Sequence, residues 1–327
     1  MKKLLTRADM IAILLMLGLA TVGCRSIGVV DPPHQSGGPW WDVDRAEFMV
    51  WDADDPAFRQ GMALEASGLV AHEGRLLIVS EKYARLIDID SVTMEAVVSS
   101  IGLPRYAEVE GVTVDGREVL MCDEANAAIW MAGLPDDQEH ETLVVERMDV
   151  VGIELPKGKL GVEGITVSDT HPREVFVALE RHGGDEEGCM ATIFTLRRAG
   201  HQELVSSTDP LAIPMEDCNW RLTGLQYWNG HLLALKTRYP GERYEVVVID
   251  RETGGLTTVL EMTDLLIGVR KEGWGNNIEG LSVADDGALW LVSDNAMTKR
   301  AESSTPPPAR DKTLLMRLPP LHLPRIH

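Results

Sequence analysis

The chain has 327 residues, with 31 Lys and Arg against 51 Asp and Glu and a formal net charge of −20. Its 44% hydrophobic and 25% charged residues describe a globular protein able to fill a core, as one large domain or two medium ones. The acidic balance, with no Lys/Arg cluster, excludes phosphate-backbone recognition and hence a nucleic-acid partner, and the one uncharged apolar stretch excludes a polytopic membrane protein.

That stretch lies at the N-terminus. Lys2, Lys3 and Arg7 precede Met10–Val22, thirteen positions without a charge, which is short for a span and suits the apolar region of a signal peptide. It ends in Thr21-Val22-Gly23-Cys24, which resembles a bacterial lipobox with Cys24 as the lipidated residue. Residues 1–24 are therefore expected to be a lipoprotein-type signal peptide. Arg25 after the cysteine fits sorting to the outer membrane, facing the periplasm. Plain secretion into the periplasm or medium, and an uncleaved anchor, are the alternatives. Residues 25–39, rich in Gly and Pro, read as a flexible tether, and 40–327 as the folded domain. Of the remaining cysteines, Cys189 and Cys218 lie in loop-like sequence and are the expected disulfide. Cys122, inside the apolar run EVLMCDE, reads as a buried thiol.

Beyond the tether one pattern recurs. An X-Gly-(Leu/Val/Ile) step leads into a strand, then a polar turn and a second β-rich run that ends in a polar or charged residue. The copies begin at Ala66 (ASGLVAHEGRLLIVSEK), Val109 (VEGVTVDGREVLMCDE), Val162 (VEGITVSDTHPREVFVALER), Leu222 (LTGLQYWNGHLLALKTR) and Ile278 (IEGLSVADDGALWLVSDN). Their glycines, Gly68, Gly111, Gly164, Gly224 and Gly280, are spaced by 43, 53, 60 and 56 residues. Turns such as Glu73-Gly74, Asp115-Gly116, Asn229-Gly230 and Asp286-Gly287 make each copy a hairpin. Further strand-like runs follow every copy, and helical periodicity is confined to MTDLLIG at Met262. Four-stranded units of 40–60 residues predict an all-β β-propeller. Five glycine repeats are visible. A sixth blade assembled from Trp40–Trp51 and Leu314–Leu318, joining the two termini, makes six blades favoured over five.

The residues before the repeat glycines are Ser67, Glu110, Glu163, Thr223 and Glu279. Equivalent positions in a ring of inner strands converge at one mouth of the channel. Carboxylates gathered there need a cation or a raised pKa, and oxygen ligands suit a hard divalent ion such as Ca2+. Glu110, Glu163, Glu279 and Asp294 are the expected metal ligands; the alternative is that these glutamates cap blade turns. The return strands end near the same mouth and bring Glu81, Asp123, Glu124, Glu180, Lys236, Asp294 and Asn295. Among these, Lys236, Arg238 and Asn295 are candidate substrate-binding groups for an anionic ligand, and Arg181 and His182 follow Glu180 similarly. No nucleophile elbow, zinc-protease helix or phosphate loop is present, so the catalytic residues stay unassigned.

The motif IEGLSVADDGALWLVSDN from Ile278 resembles the closing motif of the phytase-like family, named for the esterase-like activity of phytase. The copies at Val109, Val162 and Leu222 resemble its earlier blades in order, and the likeness spans Ala66–Asn295. The SdiA-regulated family of envelope propellers shares the same Glu-Gly steps. The resemblance implies a propeller fold, an exported location and a hydrolase-like role, and the positions it carries over are the Glu-Gly steps and Asp294-Asn295. Two functions follow. One is a lipid-anchored, metal-dependent hydrolase of a small phosphate or carboxylic ester. The other is a non-catalytic envelope propeller holding a ligand or protein partner.

Overall fold

A computed structural model describes residues 47–52, 65–80, 84–93, 96–104, 106–134, 142–156, 161–170, 173–182, 189–239, 243–271, 277–294, 312–321 and 323. Cys24, the signal peptide, the tether, Glu81, Asn276 and Asn295 lie outside these residues, as do the side chains of Arg181 and His182.

The first strand, β1 (Glu47–Asp52), belongs to the last sheet. Blade 1 is β2 (Ala66–His72), β3 (Arg75–Ser80), β4 (Arg85–Asp90) and β5 (Ala96–Ile101). Blade 2 is β6 (Val109–Asp115), β7 (Glu118–Asp123) and β8 (Ala128–Gly133); β9 (Thr142–Leu143) then pairs with β5 and β10 (Glu146–Arg147) with β8. Blade 3 takes β11 (Asp149–Val151), β12 (Val162–Val167), β13 (Glu174–His182), β14 (Met190–Arg198), β15 (Glu203–Ser206) and β16 (Leu211–Pro214). Blade 4 is β17 (Trp220–Trp228), β18 (His231–Arg238), β19 (Arg243–Ile249) and β20 (Leu256–Glu261), followed by the helix α1 (Thr263–Lys271). Blade 5 is β21 (Asn277–Val283), β22 (Ala288–Asp294) and β23 (Lys312–Pro320), completed by β1.

The hairpins form where turn chemistry permits. Glu73 and Gly74 both have positive φ, as do Asn229 and Gly230, which a type I′ two-residue loop requires. The strands between them are apolar on both faces because every blade is covered on both sides. In β3, Leu76 and Ile78 pack toward blade 5, whereas Leu77 and Val79 pack toward blade 2. Five separate cores result, one in each gap between consecutive blades, including the gap between blades 5 and 1. Trp130 and Trp290 are buried in two of these cores, and Trp228 packs against a third.

The ring closes at five, which corrects the favoured count of six. The two terminal strands do share a sheet, with β1 antiparallel to β23 from Glu47↔Arg317 to Asp52↔Lys312. That sheet, however, is the one already carrying the fifth glycine repeat. A further blade has no gap to enter, because β21 packs directly on β2. The repeat glycines record this packing. A Cβ on Gly68 would lie 2.9 Å from Gly111 Cα, and one on Gly280 would lie 2.9 Å from Leu69 Cβ, back on the first strand. Side-chain hydroxyls span the same seams. Thr166 accepts the Tyr227 amide at 2.8 Å, and Ser282 accepts the Ala71 amide at 2.9 Å.

Candidate active site at the channel mouth

Each inner strand carries a bulge at its start. In β2 the pairing steps from Ala66↔Ser80 to Gly68↔Val79, which leaves Ser67 as an extra residue. The same step isolates Glu110, Glu163, Thr223 and Glu279 in β6, β12, β17 and β21. A bulge bends the strand and re-aims the side chain of its extra residue. Five equivalent bulges around a closed ring thus bring three carboxylates and two hydroxyls to one end of the channel.

Among the described residues, Glu124, Glu163 and Glu180 form a group of three carboxylates, each offering an oxygen within 4.8 Å of the others. Glu163 comes from the inner strand of blade 3. Glu180 comes from its return strand, and Glu124 from the turn that follows β7. Gly161 helps to set the spacing, since its amide donates to Glu124 Oε1 at 3.0 Å and its carbonyl accepts from the Glu180 amide at 3.0 Å.

One cation sits among these acids. Arg221 Nη1 donates to Glu180 Oε1 at 2.8 Å, its Nη2 lies 3.6 Å from Glu279 Oε1, and its Nε donates to Thr237 Oγ1 at 3.1 Å. Burial works against the guanidinium charge, but Glu279, Glu180 and Glu163 outweigh it and hold Arg221 firmly protonated. Asn277 Nδ2 ties the far side together, donating to Glu279 Oε1 at 2.8 Å and to Asp294 Oδ2 at 3.1 Å. Glu163 is left with the burden. Burial, then the nearby Glu180 and Glu279 charges, push its carboxyl well above the ordinary range despite Arg221.

Of the four expected metal ligands, Glu163 is the one that belongs to this triad. Glu279 and Asp294 meet across Asn277. Glu110 is buried beside Cys122, whose thiol is raised by burial first and then by Glu110 and Glu163. Cys122 is accordingly a buried free thiol and not a nucleophile. Lys236 is buried, 2.6 Å from Glu216, 3.3 Å from Glu245 and 4.0 Å above the Trp220 ring. Arg238 pairs with Asp217 at 2.9 Å. Asp123, next to Glu124, accepts the Trp130 indole N–H at 2.9 Å and closes its own turn through Asn126. Cys189 and Cys218 are joined in a disulfide with their Cα atoms 4.8 Å apart.

Residues 102–296 match the sequence model of a family described as phytase-like, esterase-like activity of phytase. The chain belongs to the phytase-like family. No curated protein matches it by sequence. Among solved structures, this phytase-like chain is similar to the glutaminyl cyclase of Myxococcus xanthus, with 14% identity, 85% of this chain and 97% of that one covered, and a TM-score of 0.49. The calcium-binding protein regucalcin of Agrobacterium tumefaciens gives 8% identity, coverages of 82% and 96%, and a TM-score of 0.45. The hydrazine synthase of Kuenenia stuttgartiensis gives 14% identity and a TM-score of 0.39 over 72% of this chain and 59% of that one.

Arg221 carries no motif, yet a signal for it exists. Three residues before the repeat glycines stand Glu65, Glu108, Gly161, Arg221 and Asn277, and Arg221 is the only cation in that column.

Proposed function

We propose that this phytase-like propeller is a divalent-cation-dependent hydrolase of ester bonds, acting at the acidic mouth of its channel. The observation that carries the reading is the triad Glu124, Glu163 and Glu180. Its donors are all carboxylate oxygens, Glu163 and Glu180 are largely buried, and the environment of Glu163 resists its charge. Such a set fits a hard cation such as Ca2+ better than a softer metal. A cation held by these three residues would supply Lewis acidity toward an ester oxygen and a more acidic water.

The remaining groups have separate tasks. Arg221 aligns the Glu180 and Glu279 carboxylates, and its guanidinium favours a phosphate or carboxylate over a neutral ligand. Asn277 fixes the Glu279 carboxylate, so its orientation does not depend on substrate. Lys236, itself buried, is taken up by Glu216 and Glu245, which leaves anion recognition to Arg221.

The test is hydrolysis of 4-nitrophenyl acetate and 4-nitrophenyl phosphate by the purified domain, before and after chelation. Activity that chelator abolishes and Ca2+ restores supports the reading. Activity indifferent to chelator removes the cation, and no turnover of either ester favours a ligand-holding propeller. We also propose that the chain is exported and lipid-anchored through Cys24. Cys24→Ser should then leave the membrane fraction, and an unchanged distribution would remove the anchor.

A further inference from the structure

We propose that the Thr223 hydroxyl holds the water that reacts at this site, an inference that rests on the hydrolase reading above. Thr223 is almost completely buried, and its Oγ1 is the one buried hydroxyl among the described residues without a hydrogen-bond partner. Such an atom normally marks an ordered water or ligand, because leaving it dry is costly. Three other hydroxyls of the inner strands, those of Ser67, Thr166 and Ser282, are engaged. Ser67, at the equivalent bulge, donates to the Val109 carbonyl of the next blade. The matching bond from Thr223 would run to Ile278, and it is not made. Thr166 and Ser282 are likewise tied to neighbouring strands.

The position of Thr223 says what the hydroxyl serves. Going round the ring, it falls between Glu163 and Glu279, at the same bulge register as both. These two carboxylates are close enough to repel each other, and Arg221 lies two residues away on the same strand. A water bound by Thr223 therefore meets acceptors on either side, as a buried water needs. One water hydrogen points to Thr223 Oγ1 and the other to Glu279, which leaves a lone pair for attack. The water oxygen bonds to the acyl carbon or phosphorus, and the bond from that atom to the alkoxy oxygen breaks. Glu279 takes one proton and returns it to the departing alkoxy oxygen, and the second hydrogen stays on the product acid.

The experiment compares wild type, Thr223→Val and Thr223→Ser with both 4-nitrophenyl esters in Ca2+, and records melting temperatures alongside. Misplacing the nucleophile should lower kcat about 100-fold in Thr223→Val with little change in KM, whereas Thr223→Ser should keep most of the rate. The Val variant should not melt higher than wild type, because the water it abandons loses a partner. If it melts higher and turns over normally, the hydroxyl is only an unsatisfied group and the proposal is overturned. Thr223→Ala replaces Val should the latter not fold. A wild type inactive toward both esters overturns the hydrolase reading together with the reacting role. An active wild type with an unaffected Thr223→Val overturns the role of Thr223 alone.

Discussion

Glu163 carries the charge balance of the mouth. Burial and the Glu180 and Glu279 carboxylates raise it well above its ordinary value of 4.5, so the folded chain binds that proton more tightly than the unfolded chain. The stability this group contributes is complete below its unfolded pKa and is lost as pH rises through the folded one. In chelator, the wild-type melting temperature should therefore fall more steeply than that of Glu163→Gln as pH rises above the ordinary carboxylate range, because the variant has nothing to titrate at this position. For a domain of this size an effect on the order of 1 kcal/mol moves the midpoint by about 2 °C. Parallel pH profiles for the two proteins would show that Glu163 carries no such strain. At this scale the sequence was informative in part. Glu163, Glu124 and Glu180 all stand in columns that the repeats define, but a column does not say which neighbours meet. Asp123 and Lys236 fall one residue from Glu124 and Thr237, and alternation along a strand turns them into blade contacts with Trp130 and Trp220.

The element that builds the mouth is the bulged inner strand with its glycine. A Cβ at position 68 would meet Gly111 Cα and Val112 N at 2.9 Å, and both are backbone atoms that cannot swing aside. Gly68→Ala should cost about 1–3 kcal/mol by forcing blades 1 and 2 apart. Gly133→Ala has open space around its Cβ and should be nearly neutral, apart from the small gain expected for a restricted unfolded chain. Chemical denaturation of the pair checks this, and equal midpoints would mean that the glycines do not set the ring spacing. The hairpins were legible because Asn229-Gly230 and its counterparts announce two-residue turns. The short helix at Thr263–Lys271 lies where the apolar pattern around Met262 places it.

At the scale of the whole molecule, a closed five-bladed ring explains why residues far apart in the chain share one site. Glu124, Glu163, Glu180, Arg221 and Glu279 come from blades 2 to 5, and only closure assembles them. The blade count was misjudged from sequence because the strands at the termini look like spare material. Strand pairing shows them finishing the sheet of the fifth repeat, with Val50 opposite Leu314 and Leu314 beside the buried core of blades 4 and 5. The ring geometry gathers acidic side chains at this mouth, and the account's central claim is that this mouth takes a divalent cation. Calorimetric titration of Ca2+ into chelator-treated protein at neutral pH tests that claim most directly, with Glu163→Gln as the paired sample. The account predicts one saturable site per chain in the wild type and its loss in the variant. No heat of binding to the wild type, or equal binding by both proteins, would contradict it.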